Sequence, residues 1–293
     1  MATLRQLEYL VAVVDTGSFT RAAERLHVTQ PALSHQIRAL ERSVGGPLLE
    51  RLPRAVRLTP TGRATLPHAR AALADAERLR TAAARAAGLE EGELEVATVY
   101  SVSIGPVPAV LRSWRERYPG VRIRLREYPH ADLLRAAMAA GQADLAVGPA
   151  PADWEGPVRE LGVEEFVVVL PAGEDAAGPV RLAELAERDW VHYAPGNGLA
   201  EVLDQACGAV GFRPRIAVRT EQTAAAPLLA AAGLGPALVP ANMLPPGFDG
   251  AVRHPEPPVR RTLTAYTRTR PDRLTTAFAE LLAREIRVGR PPA

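Results

Sequence analysis

A small helical head, one long alanine-rich helix and a two-lobed α/β body are the fold class that this 293-residue chain predicts. Three observations carry that expectation. The first sixty residues repeat apolar side chains at helical spacing, with capping residues between the runs. Residues 60–88 are alanine-rich and strongly helix-forming. From Glu93 onward, strand-length apolar runs alternate with amphipathic helices. Apolar residues make up 47% of the chain and charged residues 23%, so it can bury a sizeable core and is not disordered.

In the head, Leu4, Leu7, Leu10, Val11 and Val14 recur at helical spacing, and Gly17 ends that helix. Ser18 caps a second helix that buries Phe19, Ala22, Ala23 and Leu26. His27 and Val28 form a short turn. Thr29 caps a third helix, with Gln30 and Pro31 in its first turn, where a missing N–H costs little because the first donors have no intrahelical partner. At about 100° per residue, Leu33, Ile37, Leu40 and Val44 share one side of this helix. Pro31, Ser34, His35, Arg38 and Arg42 share the other, with Gln30 at its edge. A polar face with no carboxylate at its centre suits a helix laid in the major groove, where Arg grips guanine and Gln adenine. Next comes PLLERLPRAVRLTPTG, whose Arg51, Arg54 and Arg57 recur every three residues around a proline-containing turn. This reads as a two-stranded wing whose arginines reach flanking phosphates or the minor groove. Charge agrees: residues 1–88 hold 13 Arg against 7 acidic residues, whereas the remainder is slightly acidic. A basic head on an acidic body suits a polyanionic partner.

The colinear run LRQLEYLVAVVDTGSFTRAAERLHVTQPALSHQIRALE, followed by PLLERLPRAVRLTPTG, resembles the winged helix-turn-helix of LysR-type transcriptional regulators. That resemblance implies an all-α winged helix-turn-helix domain over 1–59 and a dimerising linker helix over 60–88. It places Gln30, Pro31, Ser34, His35 and Arg38 at DNA-facing positions, with Ser18 and Thr29 at helix starts and Arg51, Arg54 and Arg57 on the wing. Two residues depart from the family's pattern: His35 stands where Arg or Lys is usual, and Leu49 where Phe is common. In the linker, Leu66, Ala69, Leu73, Ala76 and Ala83 follow heptad spacing, with Arg80 interrupting the seam and Leu79 able to substitute. Pro67 either kinks the helix or sits near its first turns. The implied arrangement pairs this helix with its copy in a second subunit.

Residues 89–293 read as two α/β lobes, the first 89–161 with 268–293 and the second 162–267. Strand–helix alternation implies parallel sheets with helices on their faces. This resembles the family's effector domain, built like a periplasmic solute-binding protein. In open α/β lobes ligands lie beyond the carboxyl ends of strands. The effector-binding candidates are therefore Tyr100, Ser101 and Ser103 after the first strand, Tyr128 and His130 after the second, Pro149 after the third, and Asn197, Gln222 and Thr223 at helix starts in the second lobe. The hydroxyls lean toward an anion or carboxylate, and the scarcity of charge in these loops leaves an aromatic or neutral ligand open.

No HExxH, GxSxG, Walker A or Cys/His ligand cluster occurs, so no catalytic residue, metal or cofactor is expected. A two-lobed enzyme and a solute-binding protein are the alternative classes. The first lacks paired acid/base residues, and the second lacks a secretory segment, since MATLRQLEYLVAVVDTG carries charges within its apolar pattern. No apolar run approaches the ~18 residues of a membrane span, and the cytoplasm is the expected compartment. Cys207 is the single cysteine and cannot form an intrachain disulfide. Peroxide-sensing members of the family use a cysteine in this lobe, whereas the apolar stretch LDQACGAVG reads as a buried thiol. The partners implied are double-stranded DNA with a pseudo-palindromic operator, a small effector, a second or further copy of the chain as homodimer or homotetramer, and RNA polymerase if the protein activates.

Overall fold

The computed structural model describes residues 2–52, 55–86, 92–174 and 177–286. They form two compact units, one holding the residues up to Gly92 together with Ala137–Gln142 and the other the rest of the body from Glu93. The head contains α1 (Leu4–Thr16), α2 (Phe19–Arg25), α3 (Gln30–Val44), the antiparallel pair β1 (Leu49–Leu52) and β2 (Ala55–Leu58), and the long helix α4 (Pro60–Ala86). Each start carries its cap. The Thr3 hydroxyl accepts from the Gln6 amide while the Gln6 side chain accepts from the Thr3 amide. Ser18 Oγ accepts from Arg21 N, and Thr29 Oγ1 from Ala32 N. Pro31 sits in the first turn of α3, as the spacing requires.

The turn between α2 and α3 closes in an unusual way. His27 N–H donates to Glu24 O and Val28 N–H to Ala23 O, the double bond of a left-handed helix end. His27 takes the left-handed position with φ 53°, where glycine is the unstrained residue. The core beneath joins Leu10, Val13, Phe19, Ala22, Leu33, Ile37, Leu40 and Leu48, all within 9% exposure. A fully buried Leu or Ile contributes roughly 1.5–3 kcal/mol, so this cluster fixes the angle between α2 and α3. Glu41 then anchors the wing: its Oε1 accepts from the Leu48 and Leu49 amides.

The first turns of α4 belong to this core. Thr59 Oγ1 accepts from Gly62 N and donates to Pro47 O. A Cβ at Gly62 would lie 2.0 Å from Leu48 O, so only glycine permits this approach. Ala69 is buried against the head cluster, and Arg70 pairs with Asp15 of α1. Ala69 was expected on a seam with a second copy and is instead used inside its own subunit. Leu79 further along is 74% exposed.

The body runs β3 (Gly92–Val99), α5 (Tyr100–Ile104), α6 (Val107–Arg117), β4 (Val121–Tyr128), α7 (Ala131–Ala139), β5 (Leu145–Pro149), β6 (Val158–Leu170), β7 (Val180–Arg181), β8 (Asp189–Tyr193), α8 (Gly198–Ala209), β9 (Arg215–Thr220), α9 (Ala225–Leu229), β10 (Ala237–Pro240), β11 (Ala251–Arg253), β12 (Pro255–Glu256), β13 (Arg260–Tyr266) and α10 (Arg273–Glu285). One sheet has the order β10-β6-β13-β5-β3-β4, with β11 also on β6. It is mixed rather than parallel: β3 and β5 run parallel, but β13 is antiparallel to both β5 and β6. The 13-residue β6 serves both lobes, pairing through 158–165 with β13 and through 166–170 with β10 and β11.

Because β13 pairs with β5, residues 260–266 lie in the first lobe, where the sequence reading placed them in the second. The chain therefore returns near Val259, whose carbonyl accepts from Phe166 N at 3.0 Å. The first lobe packs around Trp114, whose ring meets Phe278 edge-on at 5.0 Å. The second packs around Phe166, Trp190, Tyr193 and Leu203, beside the parallel pair β8 and β9. Among the described residues, no helix is long and apolar enough to cross a membrane.

His27→Gly relieves the left-handed strain and stabilises the head by about 1 kcal/mol. Urea unfolding followed by a probe in the head reads this as a higher midpoint; a lower midpoint would contradict the turn as described.

Candidate functional site

Two sites emerge, one in each unit. On the head, Gln30, Pro31, His35, Arg38 and Arg42 are exposed along α3. The acidic residue on this stretch, Glu41, has its carboxylate turned to the wing amides, which leaves the outer face without a competing anion. Ser34 departs from expectation: it is buried at 7% exposure and does not share that face. It adjoins Leu33 and lies one turn before Ile37 and Arg38, so a small rotation of the helix suffices to turn it inward. Ser18 and Thr29 act as helix caps through their side-chain oxygens. Arg57 is exposed on β2. Arg54 and the side chain of Arg51 lie outside the described residues.

The body holds a cavity of about 220 Å³ between its lobes. The first lobe contributes Tyr100, Ser101, His130 and Pro149, and the second contributes Asn197, Gly198, Glu201, Gln205 and Thr223. Six sequence candidates therefore line it: Tyr100, Ser101, His130, Pro149, Asn197 and Thr223. Three do not. Ser103 donates to Tyr100 O and to Glu127 on the first lobe. Tyr128 is half-buried, with its hydroxyl pKa raised by that burial. Gln222 is exposed, and its amide closes a turn onto Thr220 Oγ1. Ser101 and Ser103 lie within the short α5 that follows the first strand.

Arg261 was not foreseen and is central to the cavity. Its Nε donates to Glu164 Oε2 at 2.5 Å, and its Nη2 to Ser101 Oγ at 2.7 Å. Its guanidinium also lies 5.3 Å from the Phe166 ring centre. Glu164 is wholly buried and takes a second bond from Asn242 Nδ2 at 3.0 Å. Arg261 and Glu164 are direct cross-strand partners on β13 and β6, where both strands leave the first lobe. Their neighbours Arg260 and Glu165 pair on the opposite, exposed side. The signal was present in the doubled pairs EE at 164–165 and RR at 260–261, since strand alternation turns one member of each pair inward.

The lobes also meet at the cavity mouth. Gly198 N donates to Pro129 O at 2.9 Å, and His130 Nε2 lies 3.2 Å from Glu201 Oε1. Asn197 Oδ1 accepts from Leu199 N, and its Nδ2 donates to Thr223 Oγ1. Cys207 lies apart from the cavity in the second lobe's core with no exposure. Burial, with the nearby Asp204 charge, pushes its thiol up to about 12, so thiolate is scarce at neutral pH.

A basic helix-turn-helix head with a wing, joined to a two-lobed body enclosing a small polar cavity, defines a ligand-controlled DNA-binding protein. Residues 4–63 match "Bacterial regulatory helix-turn-helix protein, lysR family", and residues 87–287 match "LysR substrate binding domain". The chain belongs to the LysR family of DNA-binding transcriptional regulators. It is 36% identical over 247 residues to the HTH-type transcriptional regulator IlvR of Caulobacter vibrioides, covering 82% of this chain and 83% of that protein. Among solved structures it resembles a full-length OxyR variant from Pseudomonas aeruginosa, with a TM-score of 0.72 and 25% identity over 100% of this chain and 99% of that one. It also resembles full-length CbnR complexed with its target DNA, with a TM-score of 0.68 and 27% identity over 97% and 99% of the two chains.

Arg261→Met strands the Glu164 carboxylate in the interior and destabilises the body by about 3 kcal/mol, whereas adding Glu164→Gln recovers most of that loss. A double-mutant cycle on the body's urea transition measures the coupling. Additive losses would mean that the two residues do not act as a pair.

Proposed function

We propose that α3 lies in the DNA major groove, with Gln30, Pro31, His35 and Arg38 reading base edges and the wing, through Arg57, holding flanking phosphates. The observation that carries this reading is the outer face of α3, exposed, polar and cleared of its carboxylate by the Glu41 anchor. Ser18 and Thr29 stand at helix starts, where backbone amides favour a phosphate. His35 supplies a ring in place of the cation usual in the family, which makes it the position where sequence preference diverges from relatives. Two copies joined through the outer half of α4, where Leu79 is exposed, give paired heads for a pseudo-palindromic operator. The working compartment is the cytoplasm, where the DNA lies.

In the body, a small metabolite occupies the cavity between the lobes. The volume of about 220 Å³ falls below the roughly 300–1,000 Å³ of drug-sized sites and suits a compact ligand. The ligand touches Ser101 and Arg261 from one lobe and the Asn197–Thr223 end of the other. It thereby favours one degree of lobe closure, and output changes by its differential affinity for the two states. The IlvR, OxyR and CbnR likenesses support this division of labour.

Arg38→Ala separates the roles at the DNA face. Site selection from a randomised pool, followed by titration of matched and mismatched duplexes, is expected to show relaxed preference at one base position, with a loss of about 1–3 kcal/mol there. An equal loss on every sequence would make Arg38 a phosphate anchor instead.

A further inference from the structure

We propose that the cavity selects a small zwitterion, a molecule carrying an ammonium group as well as a carboxylate, with Glu201 as the residue that rejects plain anions. This rests on the reading of the cavity as the effector site and deepens it. The groups that face the cavity set a charge balance. Arg261 supplies the positive charge from β13, but Glu164, wholly buried and 2.5 Å away, already offsets it. Glu201 supplies a carboxylate from α8, with a side chain 65% exposed.

His130 holds that second carboxylate in place. The Asp132 amide donates to His130 Nδ1 at 3.0 Å, which fixes the ring. Its Nε2 then lies 3.2 Å from Glu201 Oε1, so the imidazole orients that carboxylate toward the cavity. Asp132 itself lies 3.6 Å from the ring on the solvent side, with 72% of its side chain exposed. The other polar side chains lining the cavity, Tyr100, Ser101, Asn197, Gln205 and Thr223, are uncharged.

The cavity and its buried backing thus hold one cation and two carboxylates. A bare carboxylate drawn to Arg261 competes with Glu164 and also faces the like charge of Glu201 with no cation of its own to set against it. A bare amine satisfies Glu201 but leaves the Arg261 side of the cavity without an anion. A zwitterion meets both. Its carboxylate accepts from the Arg261 guanidinium and from the Ser101 hydroxyl, whose oxygen takes the Arg261 bond while its own proton stays available. Its ammonium donates to Glu201. The volume of about 220 Å³ limits the rest of the molecule to a short side chain.

Calorimetric titration of the full chain with matched triples tests this. Each triple is an α-amino acid, the carboxylate lacking its amino group and the amine lacking its carboxylate: alanine with propionate and ethylamine, and valine with 3-methylbutanoate and 2-methylpropylamine, extended over the small amino acids. At least one amino acid is expected to bind about tenfold or more tightly than both of its truncated partners. Glu201→Gln is expected to close most of that gap by admitting the carboxylate. A carboxylate that binds the wild type as tightly as its amino acid, or no binding by any triple, overturns the zwitterion. An amino acid whose affinity is unchanged in Arg261→Met with Glu164→Gln binds elsewhere, and then the cavity reading itself fails.

Discussion

The buried pair of Arg261 with Glu164 is the constraint on which the body depends. Both residues sit where β6 and β13, the strands that link the lobes, pass from one lobe to the other. An ion pair inside a protein is expensive, because two charges leave water and their attraction returns that cost only if the remaining hydrogen bonds are made. Here most are made: Glu164 takes bonds from Arg261 and Asn242, and Arg261 also bonds Ser101. Well-packed apolar residues often replace such a pair without loss of stability, but they would not hold a guanidinium against the cavity. The crossing thus joins the mechanics of the two lobes to the chemistry of the site.

The head is held together differently. Its core is a compact cluster of aliphatic side chains with Tyr9 and Phe19 that sets one angle between α2 and α3. Polar groups are placed by caps and by the Glu41 anchor rather than by buried charge. Phosphate contacts supply most of the affinity of such a head and base contacts the preference, so a modest exposed face suffices when two heads act together. In the arrangement we propose, the body biases how those heads are presented, and the free energy for that bias comes from ligand affinity that differs between lobe arrangements.

Much of this was legible in the sequence where local rules decide. Gly17, Ser18, Thr29 and Pro31 mark helix ends by capping and by the missing proline N–H, and each performs that role. The wing followed from PLLERLPRAVRLTPTG, and the β/α order of the body followed from strand-length apolar runs. Less legible were features set by tertiary register. Ser34 lies at the boundary of its helix face, and a rotation smaller than one residue's turn decides its burial. Strand β6 begins at Val158 in the charged stretch VRELGV, which lacks apolar alternation because much of that half is exposed. The antiparallel placement of β13, and with it the partnership of Arg261 and Glu164, depends on pairing across almost a hundred residues. Of the cavity, the loops were readable and the charge was not.

Hydrogen–deuterium exchange on the full chain tests the central claim that this pair fixes the crossing between the lobes. Slow exchange is predicted at the β6 and β13 amides around 163–166 and 260–263, including Phe166, whose amide bonds Val259 O. In Arg261→Met these amides are predicted to exchange at least tenfold faster, a loss of about 1.4 kcal/mol of local protection, while α3 in the head keeps its rates. Unchanged protection at the crossing in that variant would contradict the account.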